Sequence, residues 1–393
     1  MKLYLNECGI VCALGNSRAE IARRLFAGES GITPTAQWSP GRVLPLGGVT
    51  SPLPDGADLP LAERSRNNQL ALAALAQIRP ALDAVIARYG AHRVGVVIGT
   101  STSGIGETEA AIRLHAETGA LPAAFHYAQQ EMASPATMLA RELGVSGPTY
   151  AHSAACASGA KAMASAARLI NMGMCDAVLT GGVDTLCAFT VAGFGALESV
   201  SAQRCNSLSA KRNGINIGEG AALFLMTREP ATVALCGWGE ASDGHHMSAP
   251  DPAGSGARIA IGEALARAGI EASDIDYINL HGTATIQNDA MESRVVADLF
   301  GAAVPVSSTK GLTGHTLGAA AAIEAAFCWL AMQDENADGK LPAHLWDGEP
   351  DPALPPLNVA VPGARLERPL NWALSNSFAF GGSNAALVFG RTG

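Results

Sequence analysis

Gly147-Pro148-Thr149-Tyr150-Ala151-His152-Ser153-Ala154-Ala155-Cys156-Ala157-Ser158-Gly159-Ala160-Lys161 is the stretch that decides how the rest of the chain is read. Thr149 to Ser153 follows a Gly-Pro pair, carries the β-prone Thr-Tyr, and reads as a short buried strand. From Ala155 to Ile170 the residues are mostly small helix formers. Cys156 therefore stands where a strand stops and a helix begins. A helix start offers unpaired N–H groups and a partial positive charge. That predicts a stabilised thiolate, with a pKa below the free-cysteine value of about 8.5. Sharp strand-to-helix turns are also how nucleophiles are exposed above a sheet. On this segment alone the alternative, a structural cysteine buried among alanines, stands level with the nucleophile.

Working outward, Val94 to Thr100 and Ala177 to Gly182 read as buried strands on either side, and Gly218 to Met226 closes a first half. Upstream, Leu3 to Leu14 is strand-like, and Ser17 caps a helix reaching about Phe26. Residues 32 to 60, rich in Pro and Gly, read as irregular loop, and one helix is expected from about Asn67 to Tyr89. Further helices are expected at Gly106 to Thr118 and from Ser134 to Leu143. Thr227-Arg228-Glu229-Pro230 is the best boundary, giving units 1–227 and 228–393. The second half echoes the first. Val233 to Glu240, Tyr277 to Thr283 and Val304 to Ser308 read as strands, Ala257 to Ala268 and Thr316 to Met332 as helices, and Trp372 to Phe389 as a closing strand pair. Four matches in the same order point to a duplicated β-α-β unit.

The chain has 393 residues, 48% of them hydrophobic and only 16% charged, with a net charge of -9. That composition suits a tightly packed α/β protein and excludes a disordered one. No basic stripe is present, so a nucleic-acid binder is not expected. Eight cysteines are scattered without a CxxC or metal-site spacing, as in a reduced, cytoplasmic protein. Met1 to Glu7 breaks any signal-peptide core early, and no run approaches a membrane span.

Nine histidines are present. His92, His115, His126, His152 and His344 lie in ordinary contexts. His245 and His246 are adjacent in a loop, but no carboxylate or cysteine has the spacing to complete a metal site, so no metal is expected. His281, at the end of a strand in His-Gly-Thr-Ala-Thr, and His315, in Lys310-Gly-Leu-Thr-Gly-His315, differ. If the duplication holds, Cys156, His281 and His315 all occupy carboxyl ends of matching strands, where α/β sheets place their sites. A thiol with two imidazoles and no acid after the second suits acyl transfer with carbanion chemistry. The thiolate attacks a thioester, and two imidazole N–H donors stabilise an enolate. A cysteine hydrolase would use one histidine, oriented by a third group.

With these residues in view, the chain resembles the elongating β-ketoacyl-[acyl carrier protein] synthases of the thiolase superfamily. The resemblance rests on Ala154-Ala155-Cys156-Ala157-Ser158-Gly159, His281 to Asp289, Lys310 to His315 and Asn376 to Asn384, and extends over essentially the whole chain. It implies an α/β, thiolase-like fold of two duplicated β-α-β-α-β halves in a layered α-β-α-β-α core, with the nucleophile in the first half and both histidines in the second. It implies a decarboxylating Claisen condensation that needs no cofactor. Cys156 would take an acyl chain from an acyl carrier protein, with its own N–H and that of Phe380 as oxyanion hole. His281 and His315 would hold the enolate formed when the malonyl carrier protein loses CO2. Lys310 and Glu324 would support them. Thr283, Thr285 and Phe378 would bind substrate, and Phe380 would gate the acyl pocket.

The resemblance further implies an acidic carrier protein docking near Arg64, Arg66 and Arg204, and a dimer paired through Thr149 to Ser153. That dimer is either a homodimer or a ketosynthase paired with a chain-length factor. Some positions depart from the family pattern. The segment Glu198 to Arg212 is short, Asn213 replaces an aspartate, and Ala379 stands where glycine is usual, which predicts a restricted gate because alanine resists φ > 0. The departures point to a specialised product, such as a polyene. A degradative thiolase would carry a second cysteine near the C-terminus, and residues 372–393 hold none. A starter-type synthase would have asparagine at position 315.

Overall fold

The computed structural model describes residues 2–392. In the first half the strands are β1 (Leu3–Cys12), the short hairpin β2 (Thr33–Thr35) and β3 (Leu44–Leu46), β4 (Val94–Gly99), β5 (Thr149–His152), β6 (Ala177–Asp184) and β7 (Gly220–Thr227). Its helices are α1 (Arg18–Ala27), α2 (Arg66–Ala76), α3 (Arg79–Tyr89), α4 (Ile105–Thr118), α5 (Ser134–Leu143), α6 (Ser158–Asn171) and α7 (Ala188–Ala196). The second half holds β8 (Val233–Ser242), β9 (Tyr277–Asn279), β10 (Pro305–Ser307), β11 (Asn358–Val359), β12 (Trp372–Ala379) and β13 (Ser383–Arg391). With them come α8 (Ser255–Ala268), α9 (Ile286–Phe300), α10 (Lys310–Thr313) and α11 (Ala320–Ala331).

The duplication is written in the strand order. The first half runs β5-β4-β6-β7-β1 and the second β10-β9-β12-β13-β8, with β11 added outside β10. Directions agree strand for strand. β4 is parallel to β5 and β6, as β9 is to β10 and β12, while the β6–β7–β1 and β12–β13–β8 pairs are antiparallel. The halves join edge to edge through Leu3↔Leu235 and Tyr4↔Ala234 of β1 and β8.

Five layers result. The inner faces of both sheets bury α6 and α11 between them, and every residue of α11 is buried. A helix apolar all round but for Glu324 belongs in such a place. Helices α2 and α5 cover the outside of the first sheet, and α8 and α9 that of the second. The approach is close. A Cβ on Gly9 of β1 would lie 2.0 Å from the Ala74 carbonyl oxygen of α2, and one on Gly239 of β8 1.8 Å from that of Ala260 of α8.

Two expectations are corrected. The helix expected over 67–89 is two helices bent by 77°. Pro80 sits in the first turn of α3, where its missing N–H is harmless, whereas inside one long helix it would break a bond. The Gln77 side chain turns away at the break to pair with both backbone groups of Ile10. The expected irregular loop at 32–60 contains the hairpin β2–β3, which pairs Thr33 with Leu46. Among the described residues no single helix is long and apolar enough to cross a membrane.

Candidate active site

The strand β5 ends at His152, and α6 begins at Ser158. The turn between them is tight enough to force Ala155 to a φ of 46°, a region that alanine rarely enters. The Ser158 hydroxyl holds it there, donating to the Ala155 carbonyl at 2.6 Å and accepting the Ala154 N–H at 2.9 Å. Cys156 rides on this strained turn, 5% exposed.

The two histidines arrive from the second half. His281 follows β9, and its backbone N–H and that of Gly282 donate to the buried Glu292 carboxylate at 2.8 and 2.7 Å. His315 is clamped in the chain by its N–H to the Asn216 carbonyl, 2.6 Å, and by the Gly218 N–H to its own carbonyl, 2.9 Å. The outcome is a compact cluster. His315 Nε2 lies 2.8 Å from Cys156 Sγ, and the two imidazoles meet edge to face with centroids 5.4 Å apart. The backbone N–H groups of Cys156 and Phe380 both face the sulfur. Behind them the Lys310 ammonium pairs with Glu324, both almost fully buried.

Burial sets the protonation states. It pushes the Cys156 thiol up to about 12, against the opposing pull of the Lys310 ammonium and the Phe380 N–H. The sequence expectation of a thiolate is thereby corrected for the resting protein. The sulfur sits two residues before α6 and out of water, so desolvation outweighs the helix end. Burial first, then the Lys310 charge, holds both imidazoles well below the usual histidine range, so each is neutral at pH 7 and carries one N–H. Burial lifts Glu324 to about 6 and Glu292 to about 7, opposed by Lys310 at the first and by the Gly282 and His281 N–H groups at the second. One donor atom each from Cys156, His281 and His315 all lie within 4.8 Å of one another, close enough to share a cation. The Lys310 charge beside them opposes one.

A pocket of about 560 Å³, mouth included, opens over this cluster and is lined by Thr283, Thr285, Phe378 and Phe380 among others. The two threonine hydroxyls are 2.8 Å apart. Phe380 packs on Phe194 of α7 at 5.6 Å. On the other side of Cys156 and Phe194 lies a second, mostly apolar pocket of about 570 Å³, walled by Ser101, Thr102, Ile105, Phe189, Thr190 and Leu317. The cysteine thus stands between a chamber of mixed polarity and an apolar one.

Ala379 has φ −93° and ψ 156°, ordinary extended backbone, and the left-handed positions fall on Gly381 and Gly382. The expected strain at Ala379 is absent from this state of the loop. Of the arginines assigned to docking, Arg66 is spent internally, gripping the fully buried Glu219 through Nε at 3.0 Å and Nη2 at 2.6 Å. Arg204 is half-buried and donates to the Leu345 carbonyl. Arg64 remains exposed, held to the Ala57 and Leu59 carbonyls.

Sequence reasoning passed over Phe194, Glu292 and Asp184. Phe194 sits in a Gly-Phe-Gly that shows no periodicity. Glu292 carried a signal: with Asn288 and Asp289 it puts polar groups at helical spacing on the stretch that buries Met291, Val295 and Val296.

The chain matches the family models described as "Beta-ketoacyl synthase, N-terminal domain" over residues 8–231 and "Beta-ketoacyl synthase, C-terminal domain" over residues 233–343. It is 32% identical to nodulation protein E of Rhizobium sp. (strain N33), covering 99% of this chain and 98% of that one. It is 33% identical to 3-oxoacyl-[acyl-carrier-protein] synthase 2 of Staphylococcus aureus (strain COL), covering 76% and 75%. Among solved structures, the ketosynthase ApeO, in complex with its chain length factor ApeC from Xenorhabdus doucetiae, superposes with a TM-score of 0.92 at 44% identity, covering 100% of this chain and 98% of that one. With both family models matched in order and the duplicated fold shared, the chain belongs to the β-ketoacyl synthase family.

Proposed function

We propose that the chain is the condensing subunit that joins a Cys156-bound acyl chain to malonyl carrier protein. In this reading the halves 1–227 and 228–393 supply the thiol and the imidazoles respectively. The observation that carries it is the neutral Cys156–His315 contact at 2.8 Å, with His281 beside it. The thiol adds to the acyl thioester as its proton passes to His315 Nε2, and the new oxyanion meets the N–H groups of Cys156 and Phe380. The carrier thiol leaves with that proton, restoring neutral His315. The acyl chain lies in the apolar chamber. The malonyl thioester on the carrier protein's pantetheine arm then enters the chamber over the imidazoles, the arm against Thr283 and Thr285. CO2 departs, and the imidazole N–H groups of His281 and of His315, whose proton has moved to the Nε2 facing the cluster, hold the enolate oxygen. The enolate carbon attacks the acyl thioester, and the Cys156 sulfur leaves and takes a proton from water. Lys310 and Glu324 keep the imidazoles neutral and in place.

A relative at 44% identity is described in complex with a chain length factor, which favours a heterodimer over a homodimer here. Eight free cysteines support a cytoplasmic, reducing setting. The test is to incubate the protein, alone and co-purified with its second subunit, with an acyl carrier protein thioester and to read intact mass. An acyl adduct on wild type, absent from Cys156→Ala and discharged by malonyl carrier protein to a ketoacyl product, is expected. No adduct on either preparation overturns the reading.

A further inference from the structure

Asp184, the last residue of β6, is fully buried and forms no salt bridge among the described residues. Its carboxylate instead collects six donors. They are the Thr100 hydroxyl at 2.6 Å, the Ser101 N–H at 2.9 Å and hydroxyl at 2.5 Å, the Thr102 N–H at 3.0 Å and hydroxyl at 2.9 Å, and the Gly318 N–H at 2.6 Å. Such a set binds separate segments to one point. The approach is so close that a Cβ on Gly318 would sit 2.7 Å from Asp184 Oδ2 and 2.7 Å from the Ser101 nitrogen.

The segments held here carry the wall of the apolar chamber. Ser101, Thr102 and Leu317 all line it. Two non-glycine residues next to the anchored groups, Ser103 at φ 47° and Leu317 at φ 55°, are left-handed. Such conformations persist only where the surroundings hold them. The imidazoles are fixed by other bonds, His281 through Glu292 and His315 through Asn216 and Gly218.

We propose that Asp184 is a positioning residue for acyl transfer: it fixes the Thr100–Thr102 loop and the Leu317–Gly318 turn as one wall of the acyl chamber, and so sets which chains Cys156 accepts. The inference rests on the condensing reading and on the apolar chamber holding the acyl chain. In Asp184→Asn one oxygen becomes a donor facing donors. The wall loosens, while the imidazole cluster keeps its own supports.

The experiment compares wild type, Asp184→Asn and Thr102→Val, the last removing one hydroxyl and leaving Asp184 itself in place. Cys156 acylation by acetyl-, hexanoyl- and dodecanoyl-pantetheine is followed by intact mass, and CO2 release from malonyl-pantetheine is measured separately. Asp184→Asn is expected to lower dodecanoyl loading at least about tenfold and to change the ratio of dodecanoyl to acetyl loading, with CO2 release within about threefold of wild type. Thr102→Val moves the ratio the same way by less. Equal losses in loading and CO2 release, or an unchanged ratio, overturn the proposal. If Asp184→Asn does not fold, Thr102→Val decides: an unmoved ratio overturns it. A wild type that takes no acyl group at Cys156 instead sinks the condensing reading itself.

Discussion

The buried Lys310–Glu324 pair permits a quantitative test. Lys310 is 1% exposed and Glu324 3%. Lys310→Met leaves a carboxylate between α11 and the sheets with no cation to offset its desolvation. Glu324→Leu leaves an ammonium in the same position. Breaking a buried pair from one side costs about 3–5 kcal/mol, whereas replacing both partners with apolar groups is often neutral. Each single variant is therefore expected to lose about 3–5 kcal/mol, and Lys310→Met/Glu324→Leu to recover most of it, for a coupling of at least about 2 kcal/mol. Urea unfolding at pH 8, followed by tryptophan fluorescence and circular dichroism, measures the cycle. The pH supplies a second handle. Glu324 titrates at about 6 in the folded chain, above its free value. Its raised pKa favours the folded state below the free value, and that contribution is lost as pH rises through about 6. The penalty of Lys310→Met should accordingly shrink by pH 5, where the stranded acid is neutral. Single variants costing under about 1 kcal/mol each, with additive effects, would refute the argument, because that is how a solvated surface pair behaves.

Three other outcomes are expected. His281→Ala should slow CO2 release from malonyl carrier protein by about 10²–10³, the usual effect of losing one oxyanion donor, while Cys156 still loads an acyl group; equal loss of both in stopped-flow assays contradicts the assigned role. Ala379→Gly should speed acyl loading if the Phe380 loop opens through this residue, at about 0.5–1 kcal/mol of stability; an unchanged loading rate places the hinge at Gly381 and Gly382 alone. His344 accepts the Ser308 N–H at 2.9 Å, and burial depresses it to about 4. Its contribution to stability is present above the free value and is lost as pH falls toward about 4, a span worth about 3 kcal/mol. His344→Asn should flatten the pH 7 to pH 4.5 stability slope seen in urea melts; an unchanged slope removes His344 as its source.

Much of the fold was legible because buried strands and small-residue helices leave strong local marks. Val94 to Gly99, and Ala177 to Val183 with only Thr180 polar, are runs of apolar and small residues that suit a strand covered on both faces. Apart from Glu324, Ala320 to Ala331 is apolar on every side because it lies between two sheets. Chain-order repetition then gave the duplication. What local sequence does not hold is distance through space. Nothing around Arg66 says that its guanidinium turns inward to Glu219, 153 residues away. Nothing around Asp184 says that six donors converge on it. The thiol's protonation escaped for the same reason, since a helix start is visible in sequence and desolvation is not. Pro80 did announce the break between α2 and α3, and a reading of hydrophobic spacing alone overrode it.

The seam between the halves bears on the order of events during synthesis. The first strand, Leu3–Cys12, pairs with Gly220–Thr227 and touches Val233–Ser242, and with no other strand. A nascent chain must therefore carry a largely apolar segment without its sheet partners until roughly two hundred further residues emerge. At about 5–20 residues per second that wait lasts about 10–40 seconds. Over that interval the strand is a candidate for chaperone capture, and a circular permutation opened just after it, at Asn16–Ser17, makes it emerge after both partners and should raise the soluble yield of the protein.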